Sequence, residues 1–182
     1  MFDGERVIVT EKMDGENTSL YADGMHARSV DGAHHPSRDW VKNYWASVAY
    51  KIPYGWRVCG ENLYAIHSIE YHNLRSYFLA FSVWNADNMC LSWDETVKFL
   101  SERDIPMVPV IYDGPFQRQV IENISVDSET SEGYVMRIAR AFHYNEFGKS
   151  VAKYVRQDHV QTDVHWKHQE IRTNTLRGRE NT

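Results

Sequence analysis

Apolar and polar positions change period several times along this chain, and each change marks an element. Val7-Ile8-Val9-Thr10 has the apolar density of a strand. Thr18 to Ala22 and Met25 to Val30 form two short runs around Asp23-Gly24, a dipeptide that closes tight hairpins. From Ser37 to Ile52 the period becomes helical: Trp40, Val41, Tyr44, Trp45 and Val48 share one face after a Pro36-Ser37 start. Arg57 to Glu61 and Tyr77 to Trp84 return to strand. The second is almost wholly apolar and therefore central, and Asn85-Ala86-Asp87-Asn88 is the turn after it. Ser92-Trp93-Asp94-Glu95 has the form of a capping box, in which the Ser92 hydroxyl and the Glu95 carboxylate serve the first free amides of a helix running towards Arg103. Pro106 stops that helix. Met107 to Ile111 predicts a strand, and Pro115 predicts the first turn of a short helix ending near Ile124. Gly133 to Ile138 and Ser150 to Val155 predict two further strands joined by a loop.

Hairpins with interspersed helices, and no regular alternation of strand and helix, predict an α+β domain built on antiparallel sheet. A length of 182 residues suits one domain, and 42% hydrophobic with 25% charged residues suits a sizeable core rather than a disordered chain. No apolar run approaches the roughly 20 residues of a membrane span, so no membrane partner is expected. Asp3 and Glu5 stand where a secretion signal would be basic, and Cys59 and Cys90 alone make no disulfide framework. A reducing, cytoplasmic setting is the expectation, the host's cytoplasm if the chain is phage-encoded. Net charge is -5, but unevenly spread. From Lys149 onward seven basic residues face four acids, whereas residues 1–148 carry 13 basic and 21 acidic side chains. A basic tail on an acidic body can hold a polyanion over carboxylates that bind a metal ion, or can be an ordinary solvated terminus. The nine histidines form no zinc pattern, because His34-His35 and His165-x-x-His168 lack cysteines at ligand spacing.

Candidate chemistry starts at Glu11-Lys12-Met13-Asp14-Gly15-Glu16-Asn17, where a lysine and an acid flank one residue just after a strand. Such a lysine suits a nucleophile if its amine is made neutral, which desolvation or adjacent positive charge favours. Three further clusters follow. Gly60-Glu61-Asn62 places an acid at a strand end, and Glu132-Gly133-Tyr134-Val135-Met136-Arg137 begins a strand with one. In Val151-Ala152-Lys153-Tyr154-Val155-Arg156 the alternation lets Lys153, and with strand twist Arg156, project into a cleft.

In this order the four clusters resemble the covalent nucleotidyltransferase superfamily of polynucleotide ligases and mRNA capping enzymes. Within it the chain is similar to ATP-dependent RNA ligases of the phage and bacterial type, a likeness that covers about residues 5–160. His26-Ala27-Arg28-Ser29, the stretch from His34 to Trp40, Gly60 to Ala65 and Tyr77 to Ser82 read like that group. The resemblance implies a ligase adenylation fold, antiparallel sheets with flanking helices around an ATP cleft, over residues 1–160. A basic tail, 161–182, would then grip substrate or be partly disordered.

The resemblance also implies roles. Lys12 would attack the α-phosphate of ATP and carry AMP. Glu11, Asp14 and Gly15 would belong to the nucleotide site, Glu61 would touch the ribose hydroxyls, and Phe81, with Phe78 as the alternative, would stack on adenine. Arg28 would serve the nucleotide or the end being sealed, with Arg38 competing for that role. Glu132 would hold the divalent metal, Mg2+ or Mn2+, and Lys153 would contact the α-phosphate. Arg38, Lys149 and Arg156 would bind the nucleic acid. Val151 stands where the family carries the first lysine of a Lys-x-Lys pair, so either Lys149 or Arg156 substitutes or one phosphate contact is missing. Few residues precede Lys12 and few follow residue 160, which points to a partner chain supplying a further domain. The implied partners are RNA ends in nicked or broken RNA or in an RNA–DNA hybrid. A DNA ligase, a GTP-using capping enzyme and a non-catalytic end-binding module are the alternatives.

Overall fold

The computed structural model describes residues 2–28, 35–127, 130–156 and 171–178. Ten strands and four α-helices follow one another as β1 (Arg6–Glu11), β2 (Glu16–Leu20), β3 (Met25–Ala27), α1 (Asp39–Val48), β4 (Arg57–Asn62), β5 (Phe78–Trp84), β6 (Met89–Cys90), α2 (Trp93–Ser101), β7 (Val110–Pro115), α3 (Arg118–Glu122), β8 (Gly133–Ile138), β9 (Phe142–His143), α4 (Phe147–Ser150) and β10 (Val151–Val155). They form two antiparallel sheets, one ordered β10-β8-β1-β7 and the other β3-β2-β4-β5-β6-β9. The mixed architecture with antiparallel sheets is the α+β class expected from the patterning.

Each sheet has two unlike faces because strand side chains alternate. In the six-stranded sheet, Leu20, Val58, Phe78, Ala80 and Val83 pack against Val41 and Val48 of α1 and Phe99 and Leu100 of α2. The opposite face carries Asn17, Glu61 and Leu79, which the register sets side by side. In the four-stranded sheet, Val7, Val9, Met136 and Ile138 are buried with Ile121 of α3 and with Trp84, Cys90 and Phe142 from the other sheet. The other face sets Thr10, Val135 and Lys153 in one row.

Local signals hold where local chemistry decides. Ser92 and Glu95 form the reciprocal capping box, and Tyr21 N–H donates to Gly24 C=O at 2.8 Å across the Asp23-Gly24 turn. The helical run from Ser37 to Ile52 is α1 flanked by two single 3-10 turns.

Three expectations differ. The strand expected at Met107 to Ile111 starts at Val110 and continues to Pro115, because its partner β1 extends the pairing as far as Arg6↔Pro115. Pro115 therefore ends an edge strand, where a missing N–H costs no ladder bond, and α3 starts three residues later. The loop expected between the last two strands contains β9 and α4. Among the described residues no helix is long and apolar enough to cross a membrane.

Candidate nucleotide site

Lys12 leaves the end of β1 on the face shared with Val135 and Lys153. Its backbone N–H donates to Gly133 C=O at 3.0 Å, which ties the strand end to the start of β8. Gly133 is required there: its φ is +151°, and a Cβ would run into the Tyr154 carbonyl. The preceding residue, Glu132, is thereby held against Lys12, with Nζ 2.5 Å from Oε2. Arg156 secures the same turn from behind, its N–H donating to Glu132 C=O at 3.1 Å and its Nε to Ser131 C=O at 3.2 Å.

The Lys-x-Asp-Gly turn is held from the opposite side. Asp14 Oδ2 accepts from the Ser68 and Ile69 amides at 2.7 and 2.9 Å, and the Asp14 amide donates to the Tyr71 phenol oxygen at 2.9 Å. Burial is the main force that raises the Tyr71 phenol above its ordinary range. Gly15 has no room for a side chain, since a Cβ would lie 2.5 Å from Asn62 O and 2.8 Å from Leu63 Cδ2.

Glu61 projects from β4 into the same space. Burial drives its carboxyl up to about 8; nearby Lys12 opposes the rise, and Glu132, Asp14 and Glu16 add to it. Burial likewise raises the Glu11 carboxyl. Glu11, Met13, Leu79, Met107 and Pro109 line a cavity of about 450 Å³, closed on another side by Glu70 to Arg75. That volume, with Met13, Leu74, Leu79, Met107 and Pro109 among its walls and polar groups beside them, suits a small planar ligand.

The structure separates the two aromatic candidates. Phe78 is fully buried beneath α1. Phe81 lies on a β-bulge, where Gly60 pairs with Ala80 and Cys59 with Ser82, and it packs with Met13, Leu79 and Leu74. A bulge re-aims a side chain, and such bulges are common beside active sites.

The remaining candidates divide. Lys153 is exposed on the Lys12 face of its sheet, in the row of Thr10 and Val135. Arg28 is exposed just beyond β3, its amide bonded to Asn17 C=O at 2.9 Å. Lys149 is exposed on α4. Arg38 is not on the open surface: it is buried and grips Glu16 through Nε at 2.8 Å and Nη2 at 2.5 Å. Ser29, Val30, His34, the histidines at 165 and 168, and most of the tail from 157 lie outside the described residues.

Sequence reasoning missed Tyr71, Glu16 and Asn174. Asn174 is buried, and the loop between β4 and β5 surrounds it. Its Nδ2 donates to Leu63 C=O at 2.8 Å, its Oδ1 accepts from the Tyr71 amide at 2.7 Å, and its carbonyl accepts from the Tyr77 hydroxyl at 2.9 Å. These are contacts across some 100 positions, which no local period records; the polar crowding of residues 66–76 is the only trace in the sequence.

A lysine and three carboxylates, Asp14, Glu61 and Glu132, thus gather where the two sheets meet, and the residues on either side of Lys12, Glu11 and Met13, line the neighbouring cavity. In architecture the chain is similar to a lysine-to-alanine variant of Naegleria gruberi RNA ligase with ATP and Mn (TM-score 0.62, 15% identity, 87% of this chain and 52% of that chain). It is also similar to an archaeal ATP-dependent RNA ligase (TM-score 0.55, 18% identity, 85% of this chain and 43% of that chain). This chain spans about half the length of those proteins, and at such identities the likeness is one of fold. A search of curated proteins finds no match. The sequence itself matches the family model described as RNA ligase over residues 5–155, so the chain belongs to the RNA ligase family.

Proposed function

We propose that this chain is an ATP-dependent RNA ligase that forms a lysyl-AMP on Lys12 and uses it to join a 5′-phosphate to a 3′-hydroxyl. The observation that carries the reading is the contact of Lys12 Nζ with Glu132, with Glu61 of the other sheet within electrostatic reach of both.

Lys12, once it gives up a proton, attacks the α-phosphorus; a P–N bond forms, the bond to the bridging oxygen breaks, and pyrophosphate leaves. A 5′-phosphate oxygen then takes the AMP and frees Lys12. A 3′-hydroxyl finally attacks the 5′-phosphorus, and AMP departs. Adenine would lie against Met13, Leu79 and Met107, with Phe81, which packs on the same apolar cluster, as its stacking partner, and Glu61, protonated near neutrality, can both donate to and accept from the ribose hydroxyls. Lys153 neutralises the α-phosphate oxygens. Arg28, Lys149 and the basic tail receive the RNA end. In this reading Arg38 acts from behind the sheet through Glu16, and Arg156 acts through the turn that carries Glu132.

The site fits a divalent cation, Mg2+ or Mn2+. Glu132 and Asp14 stand near the single Lys12 and supply carboxylate oxygen, although among the described residues no cluster of three His, Cys, Asp or Glu forms a ready cage. Mg2+ is typically held by one or two carboxylates together with substrate phosphates, so Glu132 is the residue that would hold it. The ion would supply charge neutralisation at the phosphate oxygens. Unpaired Cys59 and Cys90 accord with a cytoplasmic setting.

Intact-mass measurement after incubation with ATP and magnesium, with GTP in parallel, tests the reading. One AMP mapped to Lys12 supports it, a GMP adduct points to a capping enzyme, and RNA-end binding with no adduct points to a binding module. Sealing of nicked RNA against nicked DNA separates the two ligase classes.

A further inference from the structure

We infer that residues 171–178 form a strap that positions the nucleophile turn, with Asn174 as its positioning residue. The inference rests on the lysyl-AMP reading of Lys12. Between β4 and β5 the chain runs through residues 63–77 with no regular element of its own. A loop of that length stays ordered only if something outside it holds its backbone. The strap does so. Ala65 bridges Thr173 and Leu74 bridges Leu176, while Ile66 N–H donates to Arg172 C=O at 2.8 Å and Arg177 N–H to Leu74 C=O at 2.8 Å. Asn174 fills the centre, its own N–H donating to Tyr64 C=O at 3.1 Å and its side chain satisfied at both ends. Leu176 adds apolar contact to the cluster of Met13, Leu63 and Leu74.

The held loop is the one that grips Asp14. Three bonds cross from it to the Lys-x-Asp-Gly turn: two amides on the Asp14 carboxylate and the Tyr71 hydroxyl under the Asp14 amide. Asn174 accepts from the amide of Tyr71 itself. The path from Asn174 to Lys12 is therefore one side-chain amide, one tyrosine and one turn. Residues 70–75 also wall the cavity, so the strap fixes the nucleotide's container as well as its attacker. Arg172 pairs with Glu70 at 2.8 Å at the exposed edge of the strap, where an ion pair contributes little.

The experiment uses the full-length chain as wild type, Asn174→Ala, Tyr71→Phe and Arg172→Ala. It reads single-turnover lysyl-AMP formation across ATP concentrations and amide hydrogen exchange at Asp14, Ser68 and Ile69. Asn174→Ala should slow adenylylation at saturating ATP by about tenfold or more, as misplacement near a reacting group does, with a smaller change in the half-saturating concentration. The same variant should speed exchange at the three amides while Val9 and Val83 keep their protection. Tyr71→Phe should slow adenylylation at an unchanged melting temperature, and Arg172→Ala should match wild type. Normal adenylylation in Asn174→Ala despite lost protection would reduce the strap to a structural part and overturn the inference. Unchanged protection would overturn it too. A wild-type chain that takes no AMP would instead sink the lysyl-AMP reading and the positioning role with it, whereas the exchange measurement would still decide whether the strap holds the turn.

Discussion

Lys12 and Glu132 stand 120 positions apart in the chain, yet Lys12 Nζ and Glu132 Oε2 meet at 2.5 Å. The pairing fixes the position of the lysine side chain. Lys12→Ala and Lys12→Arg should both lose all transfer of label from ATP, the second because a guanidinium does not become a neutral nucleophile. Glu132→Gln should retain the fold and lose magnesium-dependent adenylylation. Labelling that survives in Lys12→Arg would move the nucleophile elsewhere.

Glu61 carries a pH signature. Its carboxyl rises from an ordinary value of 4.5 to about 8 in the folded chain, so the folded form holds the proton more tightly than the unfolded form. The stabilisation is complete below the ordinary value, falls as pH rises through the interval, and is lost above about 8. In Glu61→Gln this slope should disappear. Melting curves at pH 5 and pH 8, with chelator present, should show the wild type losing more stability than the variant; parallel losses would refute the buried proton.

Arg38 and Glu16 form a buried pair, and a buried charge that loses its partner is costly. Arg38→Ala should destabilise the fold by about 3–5 kcal/mol, whereas Arg38→Met combined with Glu16→Leu should cost far less. Urea unfolding of the two single variants and the double variant gives the coupling. Equal and additive losses would mean that the pair is not acting as a unit.

Gly133→Ala should be among the worst single-methyl additions. The backbone at φ +151° is strained for any side chain, by about 1–3 kcal/mol. The methyl also meets the Tyr154 carbonyl, and the nearest relief parts β8 from β10, carrying Glu132 away from Lys12. Adenylylation should fall further than stability alone explains, which activity measured well below the melting temperature would reveal.

How much of this was legible follows from how far each interaction reaches along the chain. Ser92 and Glu95 are three residues apart, and the sequence states their partnership outright. Glu11, Lys12 and Asp14 could be read as a reactive turn because the turn and its strand are contiguous. Arg38 reads as an RNA contact by family likeness alone, and nothing near it in the sequence announces its bond to a carboxylate 22 positions earlier. Phe81 could be preferred to Phe78 only by family likeness; the bulge that turns it depends on pairing with β4. Pro115 is ambiguous in the sequence because both a first helical turn and an edge strand tolerate a residue without an N–H.

The bonds from Asn174 span 97 to 111 positions, so they close late in any order of folding. During synthesis the sheets that carry Lys12, Glu61 and Glu132 can assemble before residue 174 has left the ribosome. The loop that grips Asp14 then waits on residues 171–178. A nascent chain of this protein would hold Lys12 in a half-built site, complete in composition but unset in geometry, until residues 171–178 have emerged.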